Sequence, residues 1–173
     1  SIEKYQQLFG RPMRGMWPSE GSVSEQVIEL ASRHGVTWLA TDEEILYHSL
    51  TKSGLDRLAN PLHTVYRFGD GAHLLFRDHA LSDRIGFVYS GWEADRAVSD
   101  FIDHILHLRT LLVDQLDRVV VPIILDGENA WEYFPKDGAE FLTKLYTALT
   151  TEPRISTVTF SEAVAAIEPR PLP

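Results

Sequence analysis

The chain has 173 residues, 44% of them hydrophobic and 24% charged, a globular balance that excludes disorder and suffices to bury a core as one domain. A net charge of −9 argues against nucleic acid as a partner, because phosphate binding needs clustered Lys and Arg. Cysteine is absent, so disulfide and thiolate chemistry are excluded; no apolar run approaches the roughly 20 residues that cross a bilayer, and no basic-then-apolar leader is present, which makes a cytoplasmic address without a membrane partner the expectation.

The first strand candidate is Arg14 to Trp17. Ser22 or Ser24 can cap a helix running to about His34, with Val27, Ile28 and Leu30 on its apolar face and Gly35 as its stop. Val36 to Thr41 predicts a strand and Asp42 to Leu50 a helix. His63 to Phe68 and His73 to Phe76 flank Gly69-Asp70-Gly71, a hairpin signal. Ala94 to Leu116 predicts a long amphipathic helix. The strongest strand signal is Arg118 to Leu125, apolar on both faces as a central parallel strand would be, with Pro122 as a blemish because it cannot donate to a ladder. Asp137 to Leu149 predicts a helix, Ile155 to Phe160 a strand, and Ser161 a cap for a last helix to Ile167, leaving Glu168 to Pro173 irregular. Alternating strands and helices imply right-handed βαβ units and a mostly parallel sheet. A complete barrel of this kind takes about 250 residues, so the pattern fits part of a barrel or a small open α/β sheet.

Barrel enzymes carry their catalytic groups just beyond the C-terminal ends of strands. Here those positions hold Glu20, then Asp42, Glu43 and Glu44, then Arg77, Asp78 and His79, then Asp126 and Glu128. Trp17, Trp92, Trp131, Tyr133 and Phe134 stand nearby in sequence. Carboxylates with aromatic platforms suit a carbohydrate site, where two carboxyl groups act on the glycosidic bond and aromatic faces cover sugar rings. The plainer reading of Asp42, Glu43 and Glu44 is that they open a helix, where the dipole favours them. Trp38 reads as core. Arg77 serves either as a clamp on sugar or carboxylate or as one half of a structural ion pair, and Glu128 either adds charge to the site or caps a turn. His104 and His107 sit three residues apart on the long helix, but one nearby His, His79, does not make a zinc site, so neither metal nor cofactor is expected.

Three ordered segments resemble glycoside hydrolase family 57, an α-glucan-acting family. Gly15-Met16-Trp17-Pro18-Ser19-Glu20-Gly21-Ser22-Val23-Ser24 resembles the motif whose Trp-bearing strand delivers the nucleophilic glutamate, and Leu125-Asp126-Gly127-Glu128-Asn129-Ala130-Trp131-Glu132 resembles the Asp-Gly-Glu motif whose first aspartate is the proton donor. Between them, Phe76 to Phe87 resembles the intervening segment with Arg-Asp, Ser-Asp and Gly-Phe. The resemblance implies Glu20 as nucleophile and Asp126 as acid/base, with Trp17, Arg77, Asp78, Glu128 and Trp131 contacting an α-glucan or oligosaccharide. It implies a retaining mechanism, which needs the two carboxyl groups roughly 5–5.5 Å apart, and an Asp126 protonated by apolar surroundings from Ile124, Leu125 and Trp131. The implied fold is α/β, a (β/α)7-type parallel barrel of which residues 1–173 form an incomplete, C-terminal portion in a single domain.

The family's early His-Gln-Pro motif has no counterpart here, and Gly21 stands where many amylase-type members carry Cys, a difference that bears on specificity and not on the nucleophile; the chain as a whole resembles the α-amylase- or α-mannosidase-labelled branch. The expectation is therefore an open sheet edge before Arg14, completed by a second copy of the chain or by an upstream part of the same protein, and weak activity in the isolated chain. Two other functions fit the residues: a non-catalytic carbohydrate-binding piece, and a metal-dependent polysaccharide deacetylase.

Overall fold

A computed structural model describes residues 2–55, 57–127 and 131–172. The chain forms two compact units, one of Ser1–Arg77, Asp117–Pro122 and Thr159–Pro173, the other of Asp78–Leu116 and Ile123–Val158. The fold is mixed α/β.

The first unit is built on a sheet in the order β1-β2-β4-β3-β5. β1 (Gly15–Met16) lies parallel to β2 (Trp38–Asp42), with Gly15 opposite Trp38. α1 (Ile2–Phe9) precedes them and α2 (Glu25–Arg33) connects them. Ser24 starts α2 by accepting the Val27 N–H at 3.3 Å, and Gly35 ends it with φ +81°, where a Cβ would be strained. α3 (Glu43–Lys52) follows β2 directly, because Asp42 accepts the Glu44 N–H at 3.1 Å and so caps the helix. The expected hairpin forms between β3 (Tyr66–Phe68) and β4 (His73–Arg77), its turn closed by Gly71 N–H donating to Phe68 O at 3.0 Å. The hairpin reverses the chain, so β4 lies parallel to β2 in a five-residue register from Trp38–His73 to Asp42–Arg77.

Period-2 alternation decides the faces of this sheet. Leu39, Leu74 and Phe76 point to one side and pack with Ile28 and Ala31 of α2 and Leu46 and Leu50 of α3. Each such burial contributes roughly 1.5–3 kcal/mol. The register of β1 is set on the other side: a Cβ on Gly15 would stand 2.0 Å from the Trp38 indole, so only glycine fits there. Trp38 donates through Nε1 to Ser161 Oγ at 3.0 Å and meets Phe160 edge-on at 5.0 Å, a packing role.

Three sequence expectations are corrected. Arg118 to Leu125 is not a strand of the sheet among the described residues: Val120 N–H donates to His63 O, Pro122 has no N–H, and Ile124 N–H donates to a side chain, Ser82 Oγ. Apolarity on both faces here accompanies a half-buried segment around the buried Pro122, not a ladder. Ile155 to Phe160 likewise forms no strand; α7 (Phe160–Ala166) is capped by Thr159, not Ser161, in a reciprocal box with Glu162 (2.7 and 3.2 Å), which leaves Ser161 to bond Trp38. The tail is not irregular: β5 (Arg170–Leu172) adds to β3 in parallel. It lies at the edge of the sheet, where Pro171 is tolerated.

In the second unit, α4 (His79–Asp83) is capped by Asp78, whose Oδ1 accepts the Leu81 N–H at 2.8 Å. A π-helical turn at Arg84–Val88 follows, then α5 (Ala94–Leu111), shorter than expected because the chain tightens to 3-10 geometry at Val113–Arg118. α6 (Ala139–Thr151) starts after Gly138, which has φ +76° and lies against the Trp131 ring. Tyr89, Phe101, Phe134, Phe141 and Leu145 are buried, with the Phe134 and Phe141 rings 5.0 Å apart. Tyr89 donates to Asp100 at 2.7 Å; burial, with the Asp100 carboxylate, holds its phenol well above the usual range, so it stays a donor.

Candidate active site

The C-terminal ends of β1, β2 and β4 lie along one edge of the parallel part of the sheet. This edge carries Trp17 and Glu20 after β1, Asp42 at the end of β2 and Arg77 at the end of β4. Arg77 Nη1 lies 3.7 Å from Asp42 Oδ2, its register partner, with both side chains partly buried. Asp42 thus engages Arg77 and caps α3 together.

Glu20 sits in a tight turn, Ser19–Gly21, closed by Gly21 N–H donating to Pro18 O at 2.9 Å and Ser22 N–H donating to Ser19 O at 3.0 Å. Its own backbone is left-handed (φ 53°, ψ 26°), which costs a non-glycine residue about 1–2 kcal/mol. A segment holds such a conformation only when its surroundings over-determine it. Two contacts do so here. Gly21, at φ +68°, leaves room for the Trp17 indole, which a Cβ would meet at 2.8 Å; and Gly21 O accepts a 2.5 Å hydrogen bond from Thr41 Oγ1. Thr41 is wholly buried. The Glu20 residue is left exposed and Trp17 remains 41% exposed, so a carboxylate and an aromatic surface stand three residues apart on a braced turn.

Asp126 belongs to the second unit and does not follow a strand of the sheet. Its segment is held by α4: the Ser82 hydroxyl, also wholly buried, accepts the Ile124 N–H at 3.1 Å. Asp126 is exposed, so the apolar enclosure expected from Ile124, Leu125 and Trp131 is not formed around it. Trp131 is half-buried, 5.5 Å from Phe134 and 6.3 Å from Phe141. Asp78 is buried at its helix cap, and His79 pairs with Asp83 at 2.9 Å. Glu128 lies outside the described residues. Among the described residues no group of three or more His, Asp or Glu gathers in a way that could hold a metal ion, and no helix is long and apolar enough to cross a membrane.

Sequence reasoning therefore placed Glu20 just beyond β1 and read Asp42 as opening a helix, but it took Asp78 for a clamp on sugar or carboxylate where it is a buried helix cap, and it missed Thr41 and Ser82. Thr41 read only as the last residue of a strand, and Ser82 only as part of a motif. The available signal was a hydroxyl among apolar residues, since a buried hydroxyl must find a partner.

In α/β enzymes of the barrel type, catalytic groups stand at such an edge, just beyond the C-terminal ends of parallel strands. The chain matches the family model described as Glycosyl hydrolase family 57 over residues 1–173 and belongs to that family. Solved structures agree in fold. The 4-alpha-glucanotransferase from Thermococcus litoralis superposes with a TM-score of 0.70 at 20% identity, over 98% of this chain and 25% of that one. The alpha-amylase AmyC from Thermotoga maritima gives 0.74 at 13%, over 99% and 44%. The GH57-type branching enzyme from Pyrococcus horikoshii gives 0.73 at 14%, over 98% and 41%. The chain thus spans between a quarter and under half of the length of these proteins. Among curated proteins none matches it.

Proposed function

We propose that this chain carries the reacting carboxylates of a retaining glycoside hydrolase or glucanotransferase acting on α-linked glucans. The observation that supports this best is the braced turn that presents Glu20 beside the exposed Trp17 at the C-terminal edge of parallel strands. In the first step a Glu20 carboxylate oxygen bonds to the anomeric carbon. The bond to the glycosidic oxygen breaks, its electron pair staying on that oxygen, which takes the proton of Asp126. In the second step Asp126 takes a proton from water or from an acceptor sugar hydroxyl; that oxygen bonds to the anomeric carbon and Glu20 leaves as the carboxylate. Water gives hydrolysis and a sugar gives transfer. Trp17 and Trp131 offer aromatic faces to sugar rings, and the Arg77–Asp42 pair sets the polarity of the edge next to Glu20.

Stereochemistry tests the mechanism. The full-length protein that carries this chain, given maltooligosaccharides, is expected to release products of α configuration before mutarotation, read by early-time NMR. Initial β products would mean direct displacement by water and would remove Glu20 as nucleophile.

A further inference from the structure

We propose that the two wholly buried hydroxyls, Thr41 and Ser82, are positioning residues, each fixing the backbone beside one of the two reacting carboxylates. This rests on the reading of Glu20 and Asp126 given above. Neither hydroxyl belongs to the surface that meets substrate. Thr41 Oγ1 donates to Gly21 O, one residue from Glu20, and Ser82 Oγ accepts from Ile124 N–H, two residues from Asp126.

Both bonds stand where regular backbone pairing stops. The Glu20 turn lies beyond the end of β1 and contains two consecutive residues at positive φ, so nothing in the sheet ladder holds it. The hydroxyl of Thr41, at the end of β2, replaces the missing ladder bond. The Asp126 segment lies outside the strands of the sheet, Pro122 cannot donate, and α4 supplies the Ser82 hydroxyl to the Ile124 N–H. Thr64, Asp78, Thr41 and Ser82 are the buried polar residues of the described chain, and the only two of them with no exposed surface at all hold these two segments. Burial makes each bond costly to lose, because the orphaned backbone group cannot turn to water. Relaxation of either segment displaces a carboxylate, and a displacement of about 1 Å at a reacting group is worth about a hundredfold in rate.

The test uses the full-length protein and two probes: a maltooligosaccharide, and an aryl α-maltooligoside whose nitrophenolate leaves without needing a proton. Thr41→Val keeps the shape and removes the hydroxyl. It is expected to lower kcat about tenfold or more on both probes, because the nucleophile serves both, with KM within about twofold. Thr41→Ser is expected to retain most of kcat. Ser82→Ala is expected to lower kcat about tenfold on the maltooligosaccharide, while the first-turnover release of nitrophenolate from the aryl glycoside slows much less, because proton donation to the leaving group matters only for the poor leaving group. A purely structural role would lower the unfolding midpoint without splitting the two probes. If Thr41→Val does not fold, Thr41→Ala against Thr41→Ser makes the same comparison. Variants with kcat unchanged, or a Ser82→Ala whose nitrophenolate burst slows as much as its kcat on the maltooligosaccharide, would overturn the proposal while an inactive Glu20→Ala left the catalytic reading standing. An active Glu20→Ala would sink both.

Discussion

Glu20→Ala in the full-length protein is expected to abolish turnover, with kcat down by about 10⁴-fold or more while sugar binding persists. Removal of a covalent nucleophile costs this much because no other group forms the intermediate, and single knockouts of such a unit approach the loss of the whole. The fold is not at stake. Glu20 is exposed, and Ala suffers the same left-handed strain at φ 53° that Glu does. The unfolding midpoint should barely move. Azide, small enough to occupy the place of the lost carboxylate, is expected to restore part of the rate. Titration calorimetry with maltooligosaccharides checks the binding half of the prediction and initial rates the other. A variant with wild-type kcat would remove the central assignment.

Asp126→Asn is expected to show the second-largest loss, about 10²–10⁴-fold in kcat on maltooligosaccharides, the usual worth of a positioned general acid. Its signature is dependence on the leaving group. An aryl glycoside that departs as a stabilised phenolate needs no proton, so formation of the glycosyl-enzyme should stay near the wild-type rate, while its breakdown slows because no base activates water. The intermediate then accumulates, and a burst of phenolate followed by slow turnover is the expected time course. Asp126 is exposed within its own unit, so Asn should not disturb folding. Equal losses on both substrates, without a burst, would mean that Asp126 acts on something other than the leaving group.

Much of this architecture is legible in the residues. The βαβ order, the cap at Ser24, the stop at Gly35 and the hairpin at Gly69-Asp70-Gly71 are local signals, each satisfied within a few residues. The place of Glu20 just beyond the first strand is legible too, but the left-handed turn that holds it is not. What failed depended on partners distant in sequence. Arg118 to Leu125 carries the apolar pattern of a central strand, but pairing needs a neighbour with free donors and acceptors; its N–H groups at 120 and 124 go instead to His63 and Ser82. The tail Arg170–Leu172 carries proline and no periodicity, yet pairs because β3 offers it an edge and Val65 O takes its first N–H at 2.9 Å. Nor does any spacing announce that Thr41 would reach Gly21, twenty residues earlier. Such contacts are decided by the packed sheet, after local preferences are spent.

The same division applies to the site. Carboxylates after strand ends are visible in the sequence, but their duties differ: Asp42 and Asp78 both spend an oxygen on a helix cap, and Asp42 also faces Arg77, whereas Glu20 stands exposed on a turn held by its neighbours. Strand-end position alone does not separate these cases; the hydrogen-bond partners of each carboxylate do.

The most direct test is covalent capture. A fluorosugar that forms the glycosyl-enzyme rapidly and releases it slowly, incubated with the full-length protein, should inactivate it with one sugar bound per chain. Peptide mass spectrometry is predicted to place that sugar on Glu20. A sugar found on another residue, or inactivation without covalent label, would contradict the account.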